Sequence, residues 1–239
     1  NGPWPLTEAQ EGLWYAQRLD PANPSFHCGH ALWIDGPLDV AAFRAAAEQG
    51  ARECQSLSLA LRETAQGVTQ WIDPTRTPAL EVVDLTEDAD AQQRARNAMQ
   101  ADMQTPIDPL QDALAKQVLF KLGDTAFCWY QRAHHLATDG FAMALWSHRV
   151  ADLYAARLGV SPERKPLSAF AGVAADDAAY RASAQRAADA SYWRERFAQP
   201  PEVAGLAPGR AVAAHRCHRI STALPAAAAL AARAPGAPP

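Results

Sequence analysis

His134 and His135 stand just ahead of Asp139 and Gly140, so that His134 to Gly140 reads His-His-x-x-x-Asp-Gly. The segment lies where an apolar run, Ala126 to Arg132, gives way to a helical pattern beginning near Gly140. An imidazole at the end of a strand is held by the sheet beneath it while its ring stays open to a substrate. The chemistry on offer is proton transfer. A nucleophile attacking an acyl group must lose a proton as the new bond forms, and histidine, with a reference pKa of about 6.5, suits that task near neutral pH.

Alternation along a strand puts neighbouring side chains on opposite sides, so His135 is assigned as the catalytic base and His134 as the residue that points inward and holds the loop. Asp139 has a structural reading, as the cap of the following helix, and a second reading as a charge paired with a distant arginine. Gly140 starts that helix, and its missing side chain leaves room for a nucleophile to approach His135, which makes it the second catalytic-site residue. Gln10 and Trp14, four apart on one helix face, are placed either at the border of a tunnel mouth or, for Trp14 above all, in the core. His27-Cys28-Gly29-His30 and His215-Arg216-Cys217-His218 look like metal-ligand clusters. On a strand, however, His27 and His30 face opposite sides, and no metal site is expected.

The elements that must position these residues follow from periodicity and breakers. Thr7 to Leu19 reads as a helix capped by Thr7, with a rough apolar stripe of Ala9, Leu13, Ala16 and Gln17, ending at Asp20-Pro21. Phe26 to Asp35 is strand-like, and Asp39 caps a helix burying Phe43, Ala47 and Cys54. Leu57 to Arg62 and Thr69 to Asp73 form two strands joined at Gly67. A polar helix opens at Thr86 or Asp88 and runs to about Met103, where Pro106 and Pro109 stop it. Lys116 to Leu122 and Ala126 to Arg132 form a hairpin across Gly123-Asp124 that delivers the chain to the histidines. From Gly140 to about Leu158, Met143, Trp146, Val150 and Leu153 recur at helical spacing. Asp176 to Phe197 gives one or two more helices, Pro200 to Gly209 a connector, and Ile220 to Leu224 a short strand.

The 239 residues, 49% of them hydrophobic, can bury a sizeable core as one large domain or two small ones. A net charge of -4 from intermingled acids and bases excludes the basic stripe that tracks phosphates, and with it nucleic acid. No apolar stretch approaches the roughly 20 residues of a membrane span, and the N-terminus lacks a basic region followed by an apolar one. A cytoplasmic protein is expected, its four scattered cysteines reduced.

His134 to Gly140 resembles the signature of condensation domains in nonribosomal peptide synthetases, a pattern shared with chloramphenicol acetyltransferase-like acyltransferases. Pro5 to Trp14 resembles the opening motif of those domains, and Leu19 to Pro24, Trp129 to Arg132 and Ser191-Tyr192-Trp193 are similar to family segments. The likeness, closest in flavour to siderophore synthetases, runs from residue 4 to about 230. One motif departs: where the family has Arg-His-Glu-x-Leu-Arg-Thr, Arg52 to Leu57 is followed by Ser58, and Arg62 is not carried over as the missing arginine.

The resemblance implies an α/β fold, a chloramphenicol acetyltransferase-like lobe with a mixed central sheet flanked by helices. Residues 1–239 are then the N-terminal lobe of a two-lobed domain, with 225–239 the truncated start of the connection to the C-terminal lobe. That second lobe supplies a latch, a floor loop and the arginine expected to pair with Asp139. The implied reaction is amide formation, in which the amine of an aminoacyl thioester attacks an acyl or peptidyl thioester near His135. The fragment alone is expected to be inactive. No cofactor is bound by this domain, since both substrates arrive on the phosphopantetheine arms of donor and acceptor carrier domains. An adenylation domain is the expected neighbour. Two alternatives stay open: an epimerization domain or stand-alone acyltransferase of the same fold, and a non-catalytic platform that recruits a tailoring enzyme.

Overall fold

The computed structural model describes residues 2–201. In chain order the elements are β1 (Trp4–Pro5), α1 (Glu8–Leu19), β2 (His27–Asp35), α2 (Val40–Glu53), β3 (Leu59–Thr64), β4 (Gly67–Ile72) and β5 (Leu80–Asp84). Then come α3 (Ala91–Gln104), β6 (Ala115–Gly123), β7 (Ala126–His134), α4 (Gly140–Arg157), α5 (Phe170–Arg181) and α6 (Ala184–Arg196).

The main sheet has the order β2-β7-β6-β5, and a smaller one the order β1-β4-β3. All pairs are antiparallel except β5 with β6, so the main sheet is mixed and flanked by helices, as expected of the fold class. The β6-β7 hairpin turns at Asp124-Thr125, one residue later than the sequence reading.

From Phe127 onward every residue of β7 is buried, because helices cover both faces of the sheet. Leu119, Phe127, Trp129 and Ala133 pack with Phe43 and Ala47 of α2 and with Trp146, Val150 and Leu153 of α4. Val118, Phe120, Cys128 and Tyr130 face Ala91 and Ala95 of α3. Trp129 meets Phe43 and Trp146 edge-on, with ring centroids 5.3 and 5.8 Å apart. Burying each such side chain stabilises the fold by about 1.5–3 kcal/mol. Helices α2 and α4 also touch closely: a Cβ on Gly50 would lie 2.5 Å from Val150 Cγ2, so glycine is what allows the approach.

Several sequence expectations need correction. Strand β5 is absent from the pattern reading, since its short Leu-Glu-Val-Val-Asp run is stabilised by pairing with β6, a partner remote in sequence. Helix α3 starts at Ala91, after a turn in which the Asp84 carboxylate accepts from Thr86 N. Gln55–Ser58 is a 3-10 turn rather than strand, and α5 begins at Phe170, before Asp176. The buried face of α1 is Gln10, Trp14 and Gln17; of the expected stripe Gln17 is buried, Leu13 and Ala16 are half-buried and Ala9 is exposed. The strand and helix expected after residue 220, the segment 225–239 and the His215–His218 cluster lie outside the described residues.

Candidate active site

Strand β7 carries its backbone pairing through both histidines. The His134 N–H donates to Leu114 O and the His135 N–H to Phe26 O, each at 2.8 Å, so the two residues are tied to opposite neighbours. Ala137 N–H then closes a turn on His134 O at 2.8 Å, and the chain enters α4. Asp139 caps that helix: its Oδ1 accepts from Ala142 N at 2.7 Å, matching the structural role read for it.

His134 is fully buried. Its Nδ1 accepts from Leu136 N at 3.1 Å, and its Nε2 lies 3.0 Å from Gln17 Oε1. Burial first, then the charges of His27, His135 and Arg132, push its pKa down to about 3. A ring with both nitrogens engaged and no access to solvent holds the loop, as the alternation argument expects.

His135 is different. It is half-buried, its backbone is pinned by Phe26, and among the described residues nothing hydrogen-bonds its ring. The residues on either side of it are both held by α1. Gln17 reaches His134, while Gln10 Nε2 donates to Leu136 O at 2.8 Å.

Gln10 is therefore a buried support of the loop. Its amide also forms a reciprocal pair with Gln70, at 2.9 and 2.7 Å, and its Oε1 accepts from Thr7 N at 2.9 Å in a capping box. Trp14, 4% exposed, packs in the core with Leu59, Leu61, Leu136 and Phe170. Its outer edge borders an open groove of about 360 Å³ with Arg18, Pro21 and Ile107, and His135 is not among the residues of that groove. Gly140 is exposed, and a Cβ there would meet nothing within 4 Å, so the space in front of α4 is open.

Sequence reasoning missed Gln17 and Gln70 as site supports. The available signal was spacing: residues 10 and 17 are two turns apart and share the buried face of α1. Ser58, which stands where the family motif has arginine, is buried and hydrogen-bonds Thr77 Oγ1 at 2.8 Å. Arg62 stacks over Trp71, 5.3 Å from the ring centre, and occupies a different place. His27 and His30 oppose His134 and Gln131 in the sheet register, on opposite faces. Among the described residues there is no group of three His, Cys, Asp or Glu side chains able to hold a metal, and no helix long and apolar enough to cross a membrane.

The family model for condensation domains matches residues 1–233. A dimodular nonribosomal peptide synthase of Bacillus subtilis is 37% identical over 84% of this chain and 8% of its own length. Enterobactin synthase component F of Escherichia coli is 31% identical over 85% of this chain and 16% of its own. A double mutant of the starter condensation domain of rhizomide synthetase RzmA, solved in complex with C8-CoA and Leu-SNAC, superposes with a TM-score of 0.81 at 35% identity, covering 87% of this chain and 48% of that one. The chain thus spans about half of the solved domain and a small part of the curated synthetases. With the histidine loop, the sheet beneath it and these likenesses in agreement, the chain belongs to the condensation domains of nonribosomal peptide synthetases.

Proposed function

We propose that this chain is the histidine-bearing half of a condensation domain that joins an acyl or peptidyl thioester to an aminoacyl thioester as an amide. His135 is the catalytic base, with Gly140 leaving room for the approaching amine, and His134 and Asp139 shape the loop. The reading rests on one observation: His135 is half-buried, with a ring whose nitrogens no described group hydrogen-bonds, between two residues that are both anchored. Condensation domains catalyse amide formation, and the similar starter domain was solved with an acyl-CoA and an aminoacyl thioester analogue.

In the reaction, the acceptor nitrogen attacks the donor carbonyl carbon, a C–N bond forms, and the C–S bond to the donor arm breaks. The proton lost by the nitrogen passes to His135 and from there to the departing thiolate. Both thioesters are carried into the cytoplasmic synthetase by phosphopantetheine arms of donor and acceptor carrier domains, the acceptor loaded by an adenylation domain. The domain itself binds no cofactor. The remaining lobe supplies the other wall of the substrate passage and the arginine facing Asp139.

The test uses the complete condensation domain containing this chain, with one acyl-loaded and one aminoacyl-loaded carrier. Mass spectrometry is expected to find the amide on the acceptor carrier and the donor arm left as a free thiol. Donor hydrolysis without amide, or an unchanged acceptor, contradicts the reading.

A further inference from the structure

Gln17 hydrogen-bonds His134, the neighbour of the proposed base, and its own contacts decide which nitrogen of His134 carries the proton. Its Nε2 donates into the carbonyls of Asp20, Pro21 and Asn23, at 3.1, 3.1 and 3.3 Å, in the turn that follows α1. Those contacts fix the orientation of the amide. The NH2 group must face the carbonyls, so the Oε1 atom, an acceptor only, must face His134.

On the other side of the ring, the Leu136 N–H is a donor only, so Nδ1 must be the bare nitrogen. A neutral imidazole then carries its proton on Nε2, where Gln17 Oε1 receives it at 3.0 Å. Every polar atom in the chain from the Asp20–Asn23 turn through Gln17 and His134 to Leu136 has one consistent role. The reverse tautomer would set Nδ1–H against Leu136 N–H and leave Nε2 facing an oxygen.

We propose that Gln17 is a positioning residue for His135: by locking His134 in its Nε2–H tautomer it secures the Leu136 N–H and so fixes the backbone that carries the catalytic ring. The charged and titratable groups around His134 are His27 from β2, Arg132 from β7, with Asp102 of α3 at 2.9 Å from Arg132 Nε, and His135 itself. None of them provides a second acceptor for Nε2, so the role falls to Gln17 among the described residues. The inference rests on His135 being the base.

The test has two readouts in the complete condensation domain. Imidazole nitrogen NMR, recorded without substrate, is expected to show His134 neutral with the proton on Nε2. Gln17→Met, which keeps the volume and removes the acceptor, is expected to lower kcat by about tenfold or more with KM changed less than about twofold. In a His134→Asn background, whose side-chain oxygen can accept from Leu136 N without help, Gln17→Met is expected to cost little, so the two effects do not add. An Nδ1–H tautomer, an unchanged kcat, or additive losses overturns the proposal. Should Gln17→Met fail to fold, the tautomer in the parent protein decides. If instead the parent forms no amide, or His135→Ala matches it, the base assignment fails while the spectra still report on Gln17.

Discussion

Arg149 of α4 closes on Glu53 of α2 through two hydrogen bonds, Nε to Oε2 at 2.6 Å and Nη2 to Oε1 at 2.9 Å. Arg149 is 3% and Glu53 15% exposed at the side chain, and the arginine holds the carboxyl below its usual range despite burial. Because α4 begins directly after the histidine loop, this pair ties the middle of the helix that frames the site to α2. Arg149→Met would leave the Glu53 carboxylate without its cation, held only by Gln49 Nε2 and Leu167 N, which is expected to cost about 3 kcal/mol in urea unfolding. A loss below about 0.5 kcal/mol, the range of ordinary surface changes, would show that the pair is dispensable.

Gln10→Leu tests the second anchor of the loop. It leaves the Leu136 carbonyl and Gln70 Oε1 without their donor, while Gln70 Nε2 keeps Pro5 O, and it opens the Thr7 capping box. Each buried polar group left unsatisfied costs about 1–3 kcal/mol. The expected result is a less stable protein and faster amide hydrogen exchange across His134 to Thr138. Unchanged exchange there would mean the loop is held by other contacts.

Stability is expected to depend on His134 in acid. Its folded pKa, about 3, lies below the unfolded value of about 6.5, so between those values the unfolded chain binds more protons. The contribution is complete above about pH 6.5 and is lost as pH falls toward 3, by up to about 1.4 kcal/mol per unit. His27, also lowered, chiefly by burial and then by Arg132, acts with the same sign. Denaturation midpoints measured across this window should fall with pH, and less steeply in His134→Asn. A flat profile, or the same slope in the variant, contradicts the assignment.

Asp139 combines a cap with a charge, and two substitutions separate them. Asp139→Ala removes the oxygen that accepts from Ala142 N and is expected to cost about 1 kcal/mol. Asp139→Asn keeps that acceptor and should stay within a few tenths of a kcal/mol of the parent. Equal losses for both would assign the stability to the charge rather than the cap.

Much of this site was legible in the sequence because its geometry is local. Alternation separates His134 from His135, and Asp139 precedes a helix that needs a cap, so inward, outward and capping roles follow from neighbouring residues. What stayed hidden depends on contacts remote in sequence. Gln17 and His134 are 117 residues apart, Gln10 and Leu136 126, and no periodicity reports such pairs. A buried glutamine on an amphipathic helix breaks the apolar pattern, so Gln10 falls outside a stripe read from hydrophobicity although α1 buries it. Strand β5 was missed because its order comes from pairing with β6, and Arg149 because a buried arginine reads as surface until Glu53 is seen beside it.

The most direct test of the account compares His135→Ala with the parent in single-turnover amide formation between loaded carriers, using the complete condensation domain. The expected result is a rate lowered by about 10²–10⁴ with both carriers still bound and the fold intact. A variant that forms amide at the parental rate would contradict the claim that the ring of His135, whose neighbours His134 and Leu136 are both held by α1, takes the proton.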